Sequence, residues 1–558
     1  RKKNRVVPIN LEAKRLTYQK ARWGDDDRID WLAFSGYLDA VAADKSIEGV
    51  ALNLSGFRAS PALQWELRSK LHDLQTAGKR VYIHGDRFTM GSFYLASVAD
   101  RLSLDPQGFV LLPGFASHRT YMKDFFDKIG IGVEEWQYFT YKTAFQRFAR
   151  TGMSEADSVQ LGRLTDVIYD TWRDGIARGR NLSTAAVDTL INEDVLLSAV
   201  RARDAGLVDV LDRWPGFRDS LRKELGVTFG PLPRERGNPI PLPGDRWGRL
   251  PEIHVVYAIG PCEMDSGIRG RATSQQLARL ASDPDVKAVV LRADSPGGDP
   301  LPSDLVAGGL EKLRRKGKPA VVSQGNVAAS GGYWISMDGS KILTTPVTIT
   351  GSIGVIAGWF WDDGLGEKIG FSAEGVQKGA SADLFTGLRF PLLGLRIPTR
   401  NLNDSEQARA KAGILATYDV FVDKVAAARG LPVQNVREIA QGRVWMGGDA
   451  ITHGLCDAFG GLDDAVVEAR RSAGLEGEPV LLVEYPKPPL FRRPRFLPDV
   501  PGLGLLSGFL FGTQEVPAAP LVLPEDYEVS YLRWMAESPT QSLVLTPPEL
   551  VPSGWVED

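Results

Sequence analysis

At 558 residues the chain is too long for one hydrophobic core, so two or more domains are expected. Apolar residues make up 43% and charged residues 24%, and the formal net charge is −3; this is the balance of an ordinary globular protein and gives no argument for a nucleic-acid partner. The two cysteines, Cys262 and Cys456, stand in no metal-binding spacing and read as buried free thiols, and the longest weakly polar run, Val500 to Gly512, is too short and too interrupted by glycine and proline to span a bilayer.

The chain opens on a basic cluster, Arg1, Lys2, Lys3 and Arg5. Two readings stay open there: the flank of an anchor or targeting segment that precedes this numbering, or a solvated terminus. An internal repeat with a period of about 240 residues then organises everything up to Tyr485. "DKSIEGVALNLSG" (44 to 56) matches "DPDVKAVVLRADSPGG" (283 to 298), and "GDRFTMGSFYLAS" (85 to 97) overlays "GNVAASGGYWISM" (325 to 337) with Gly85 on Gly325 and Gly91 on Gly331. Further on, Pro106 falls on Pro346, Gly114 on Gly354, "KIGIGVE" (128 to 134) on "KIGFSAE" (368 to 374), and "AGLVD" (205 to 209) on "HGLCD" (453 to 457). The divisions that follow are an N-terminal segment 1–27, a first repeat 28–229, a proline-rich linker 230–248, a second repeat 249–485 and a C-terminal extension 486–558 without a repeat partner.

Within the second repeat, "VKAVVLRA" (286 to 293) reads as a buried parallel strand, followed by the glycine loop "DSPGGD". "SDLVAGGLEKLRRKG" (303 to 317) places Val306, Leu310 and Leu313 on one helical face; "PAVVSQG" (319 to 325) is the next strand, "ASGGYWISM" opens a helix, and "KILTT" (341 to 345) returns to a strand. This alternation predicts an α/β fold of βαβ units with parallel sheets, flanking helices and glycine loops gathered at the strand C-termini, where such folds build their sites.

Ser330, just ahead of Gly331 and Gly332, is by itself readable as a helix N-cap. Two features point to a nucleophile instead. "SPGG" (295 to 298) ends the preceding strand and can turn backbone N–H groups into a cleft, and a helix starting at Ser330 adds its own unsatisfied N–H groups. A base is needed, and none of the five histidines (His72, His84, His118, His254, His453) stands in a triad motif; His453, opposite Ala205 in the repeat, reads as structural. Lysine is left as the candidate base.

Five motifs in order, "YKTAFQRFARTGMSEAD" (141 to 157), "LRADSPGGD", "GNVAASGGYWIS", "TGSIGV" (350 to 355) and "QGRVWMGGDA" (441 to 450), resemble the long tandem form of signal peptide peptidase A, peptidase family S49, in the ClpP/crotonase superfamily. The resemblance covers about residues 28 to 485. It implies two tandem ClpP/crotonase-like domains and a serine endopeptidase with Ser330 as nucleophile, Lys142 as general base, Ser352 as the lysine's hydrogen-bond partner, and Gly297, Gly298 and Gly331 around the oxyanion. It implies no metal and no cofactor. Apolar peptides such as cleaved signal peptides would be the substrates, a homotetramer the assembly, and the periplasmic face of the bacterial inner membrane the location, with the chloroplast thylakoid membrane as an alternative. The repeat agrees with a site divided between the copies: Met90 stands at the serine position of the first, and Ala382 at the lysine position of the second. Tyr138, Phe139, Tyr141, Phe145 and Phe148 offer Lys142 an apolar surround that would lower its pKa. One departure is Asp294, where the family commonly has asparagine; its carboxylate either opposes charge on the oxyanion or is held by local backbone hydrogen bonds. The competing readings are a silent membrane-associated scaffold of the same fold and a crotonase-type acyl-CoA enzyme. The run "LGLLSGFLFG" in the extension would pack on a neighbouring subunit or touch lipid.

Overall fold

In the computed structural model, residues 4–19, 27–232, 249–390, 395–486 and 544–545 are described. Most of the linker 230–248 and the run "LGLLSGFLFG" lie outside them. Two mixed sheets, mainly parallel, form the frame, one from each repeat. In the first, the strand Arg5–Asn10 lies between Thr228–Phe229 and Ile47–Asn53, followed outward by Arg80–Thr89 and Arg101–Leu111. In the second, Glu252–Ile259 lies between Leu481–Tyr485 and Val286–Ser295, followed by Ala320–Ala329. An antiparallel strand closes the far edge of each, Leu196–Ser198 in one and Val444–Met446 in the other.

The strand Arg5–Asn10 changes the reading of the N-terminus. Residues 1–27 read as an N-terminal segment apart from the first repeat, yet the strand pairs in parallel on both edges and belongs to the first sheet, in the place that Glu252–Ile259 takes in the second.

The strands are apolar on both faces because helices cover both faces of a parallel sheet; all ten residues of Ala320–Ala329 are buried. The helix Pro300–Arg315 places Val306, Leu310 and Leu313 inward, as its periodicity predicts. Each half also carries a long helix of 26 residues, Glu155–Arg180 and Asp404–Arg429. Ser154 caps the first and Asn403, in a capping box with Glu406, the second; both end at a left-handed residue, Asn181 or Gly430.

The halves share a core. One hydrophobic cluster joins Val7, Leu63 and Leu67 of the first to Val321, Val327 and Leu462 of the second. At its centre Arg292 donates to Glu66 at 3.0 Å and stacks on the Tyr18 ring, while the Tyr18 hydroxyl (2.6 Å) and the Leu462 N–H (2.8 Å) also donate to Glu66. A second tie is a two-stranded ribbon in which Ile131–Tyr138 pairs antiparallel with Val355–Asp362, from Ile131 opposite Asp362 to Tyr138 opposite Val355.

Candidate active site

The ribbon decides what meets at the site. Its register sets the chain leaving Tyr138 beside the chain entering Val355, so Lys142, four residues after one strand, faces Ser352, three residues before the other. Ser330 arrives from the end of Ala320–Ala329. The Lys142 ammonium nitrogen forms hydrogen bonds to Ser330 Oγ, to the Ser352 carbonyl at 2.9 Å and to Ser352 Oγ at 3.0 Å. All three residues are buried.

Ser330 does not act as an N-cap. Its φ is 60° and ψ −116°, and its hydroxyl makes no capping bond. A non-glycine residue in that region costs of order 1–3 kcal/mol and persists where its surroundings hold it. Here the Ser330 N–H donates to the Gly351 carbonyl at 2.7 Å, and its own carbonyl accepts from Trp334 N–H at 2.9 Å. This twist aims Oγ at Lys142. The helix behind it, Gly331–Trp334, is a single turn, shorter than "ASGGYWISM" suggests, so its dipole contributes little.

Burial holds the Lys142 amine well below the ordinary lysine pKa. The enclosure differs from the expected aromatic ring. Phe145 and Phe148 are buried against Phe360 of the ribbon, but Phe139 is 40% exposed and packs edge-on against Tyr418. The lid over Lys142 is instead the backbone of 441–443. A β-carbon on Gly442 (φ +77°) would come within 2.4 Å of Lys142 Cβ, so only glycine lets this turn lie so close. The same stretch accepts from Tyr141 N–H (Gln441 carbonyl, 3.0 Å), Ser352 N–H (Arg443 carbonyl, 2.7 Å) and Ser352 Oγ (Gly442 carbonyl, 3.3 Å).

The loop bearing Lys142 is pinned from beneath by residues that sequence reading did not single out. Thr143 Oγ1 donates to Asp157 at 2.6 Å, and Gln160 Nε2 donates to Thr143 Oγ1 at 2.9 Å and to the Tyr141 carbonyl at 3.2 Å. Asp157 also pairs with buried Arg119 at 2.8 Å. The available signal was the spacing inside "YKTAFQRFARTGMSEAD", which places Asp157 in the first turn of the long helix, facing back toward the loop.

The glycine loop lies on the other side of Ser330. A β-carbon on Gly331 would sit 3.1 Å from the Gly298 nitrogen, so these two amides are neighbours. Gly298 (φ +150°) cannot be replaced without driving a β-carbon to 2.5 Å from the Cys262 carbonyl oxygen. Gly297 differs from expectation: its N–H donates to Ser295 Oγ at 3.2 Å and its carbonyl accepts from Cys262 N–H at 2.7 Å, so it shapes the turn. Asp294 is occupied by the adjacent strand, accepting from Val327 N–H and Asn326 Nδ2, both at 3.0 Å. Both partners lie on the strand Ala320–Ala329, not in the glycine turn itself, so the local backbone bonds that the sequence suggested are replaced by bonds to a neighbouring strand. Burial raises its pKa, and the nearby Arg292 guanidinium opposes that rise.

The profile of peptidase family S49 matches residues 73–228 and 312–476, one segment in each repeat. Protease 4 of Salmonella typhi is 32% identical over 459 residues, 78% of this chain and 70% of that protein. The chain belongs to peptidase family S49. Among its relatives, the chloroplastic serine protease SPPA of Arabidopsis thaliana is 29% identical over 508 residues, 87% of this chain and 72% of that protein. A putative signal peptide peptidase SppA of Enterococcus faecium is 33% identical over 210 residues, 38% of this chain and 57% of that protein. The S49 match agrees with the two tandem α/β units with parallel sheets, and it makes this chain a peptidase. Among the described residues no helix is long and apolar enough to cross a membrane.

Proposed function

We propose that this S49 peptidase is a serine endopeptidase working through a Ser330–Lys142 dyad assembled across its two halves. The observation that carries the reading is the buried contact of the Lys142 amine with Ser330 Oγ and Ser352. A desolvated, neutral lysine can accept the serine proton, and among the described residues no carboxylate hydrogen-bonds Lys142 to hold it charged. Ser330 Oγ attacks the scissile carbonyl, and the Gly298 and Gly331 amides receive the oxyanion, with Gly297 setting the loop that aims Gly298. Lys142 then protonates the leaving amine and activates the water that frees the acyl group. Ser352 orients the lysine through its hydroxyl and carbonyl.

The substrates in this reading are apolar peptides such as cleaved signal peptides, met at the periplasmic face of a bacterial inner membrane by a homotetramer. Relatives named Protease 4 and putative signal peptide peptidase SppA support peptides as the substrate class. Casein or a fluorogenic apolar peptide should be hydrolysed by the wild type and left intact by Ser330→Ala and Lys142→Ala. A fluorophosphonate probe should mark Ser330. A folded wild-type protein that neither reacts with the probe nor cleaves either substrate would favour the silent scaffold. Sedimentation at micromolar concentration tests the assembly, and a monomer there would remove the tetramer.

A further inference from the structure

The residue that anchors the lysine loop from beneath, Asp157, brings a buried carboxylate into the first turn of Glu155–Arg180. Thr143 Oγ1 donates to it at 2.6 Å, and Tyr121 Oη and Gln160 Nε2 both donate at 3.4 Å. These donors and the helix end favour an ionised carboxylate. Thr143 follows Lys142 directly in the chain, so that negative charge lies one hydrogen bond from the backbone carrying the amine. Left alone it would favour an ammonium at Lys142, and an ammonium cannot take the serine proton.

Arg119 meets this difficulty. It enters from the irregular segment 112–122 with its side chain 1% exposed, and its Nη1 lies 2.8 Å from Asp157 Oδ2. Its Nε and Nη2 have no hydrogen-bond partner among the described residues. Burying a guanidinium with donors unused is a poor way to stabilise a fold, so what Arg119 brings to this position is its charge. The neighbouring elements turn their charges elsewhere. Arg443 of the lid lies over the Tyr141 and Trp445 rings, at 4.8 and 4.3 Å, and Arg147 over the Phe148 ring at 5.1 Å. On the ribbon strand, burial pushes the Glu135 carboxyl up to about 7, with Arg150 opposing the rise and Asp157 adding to it.

We propose that Asp157 and Arg119 are positioning residues for the base: Asp157 fixes the lysine loop, and Arg119 cancels the charge this places beneath it, so that the Lys142 amine stays neutral. The inference rests on the dyad reading above.

The test is the pH dependence of fluorophosphonate labelling and of kcat/KM for a fluorogenic apolar peptide, with the denaturation midpoint recorded for each variant. Arg119→Gln leaves the Asp157 charge uncompensated. It should move the acid limb to higher pH by about one unit, so that labelling on that limb falls about tenfold. Asp157→Asn keeps an acceptor for Thr143 but leaves the Arg119 charge uncompensated, and should move the limb to lower pH. Arg119→Gln with Asp157→Asn removes both charges, and Arg119→Lys keeps the cation; both should return the limb close to its wild-type position. A loop that is merely loosened lowers the plateau in every variant and cannot move the limb in opposite directions. Asp157→Asn against Arg119→Lys carries the same decision if Arg119→Gln does not fold. Limbs that coincide, or that move the same way in the two single-charge variants, overturn the inference and leave the dyad standing. Glu135→Gln should retain an acid limb, and its disappearance there would assign the limb to Glu135 and overturn the inference as well. A folded wild type that neither takes the probe nor cleaves the peptide overturns the dyad, and this inference with it.

Discussion

The two halves share a frame and differ where chemistry is at stake. At the end of Arg80–Thr89 the first half begins an ordinary helix: Thr89 and Ser92 form a capping box, and Met90 is buried in the core. At the equivalent point the second half places Ser330 in a strained conformation ahead of a single helical turn. The difference is reversed further along. The first half continues from the helix Lys123–Ile129 into the ribbon strand and delivers Lys142, whereas 371–377 of the second half form no regular element and Ala382 is exposed. Each half keeps the structure that its own contribution needs and relaxes the other. A duplicated fold can thus divide one site between copies, because the scaffold that holds a residue matters as much as the residue.

The strongest way to break this division is to remove either contributor. Ser330→Ala should lower kcat/KM for a peptide substrate by roughly 10⁴-fold or more, since in the proposed dyad nucleophile and base act as a unit. Lys142→Met should do the same and carry a second signature. Burial places the folded-state pKa of Lys142 below the 10.5 of a free lysine. Between those two values the unfolded chain binds a proton that the folded chain refuses, so stability rises with pH across the window and burying the amine is a cost within it. Lys142→Met should therefore raise Tm in that window while abolishing activity. In the wild type kcat/KM should climb as pH rises through the lysine pKa, and a flat acid limb would contradict the base assignment.

Smaller effects sharpen the comparison. Arg292→Met leaves Glu66 without its buried cation across the shared core, and should cost about 3–5 kcal/mol, read as a drop in the denaturation midpoint. Met90→Ser, which writes the second half's residue into the first, should lose about 2–4 kcal/mol of stability and create no second fluorophosphonate-labelled position. Labelling at residue 90 would mean that the first half retains a working site. Ser352→Ala should reduce kcat on the order of tenfold, the worth of one hydrogen bond to the lysine, with KM little changed.

Much of this could be read along the chain because it is local or repeated. Strand runs such as Val286–Ser295, the inward face of Pro300–Arg315 and the duplication are periodic or contiguous signals, whereas the pairing of Ser330 with Lys142 came only from the resemblance of dispersed motifs to a family. Other features carry no such signal. Nothing near Lys142 in sequence announces that Gln441–Arg443 would cover it, that Thr143 would lean on Asp157, or that the Gly297 amide would turn to Ser295. Nor does the sequence announce that the two donors for the Asp294 carboxylate, Asn326 Nδ2 and Val327 N–H, come from the neighbouring strand.

The sequence by itself determined the residue types and the order of strands and helices, since these depend on composition and short-range periodicity; which copy carries which reactive side chain was implied by the family resemblance and agreed with the repeat. Tertiary structure alone decided that 188 residues of separation close into the contact between the Lys142 amine and Ser330 Oγ. The physical reason is the ribbon: an antiparallel register is set by backbone hydrogen bonds between distant strands, and its consequence, a lysine stripped of water beside a serine held in strain, exists only once both halves have packed.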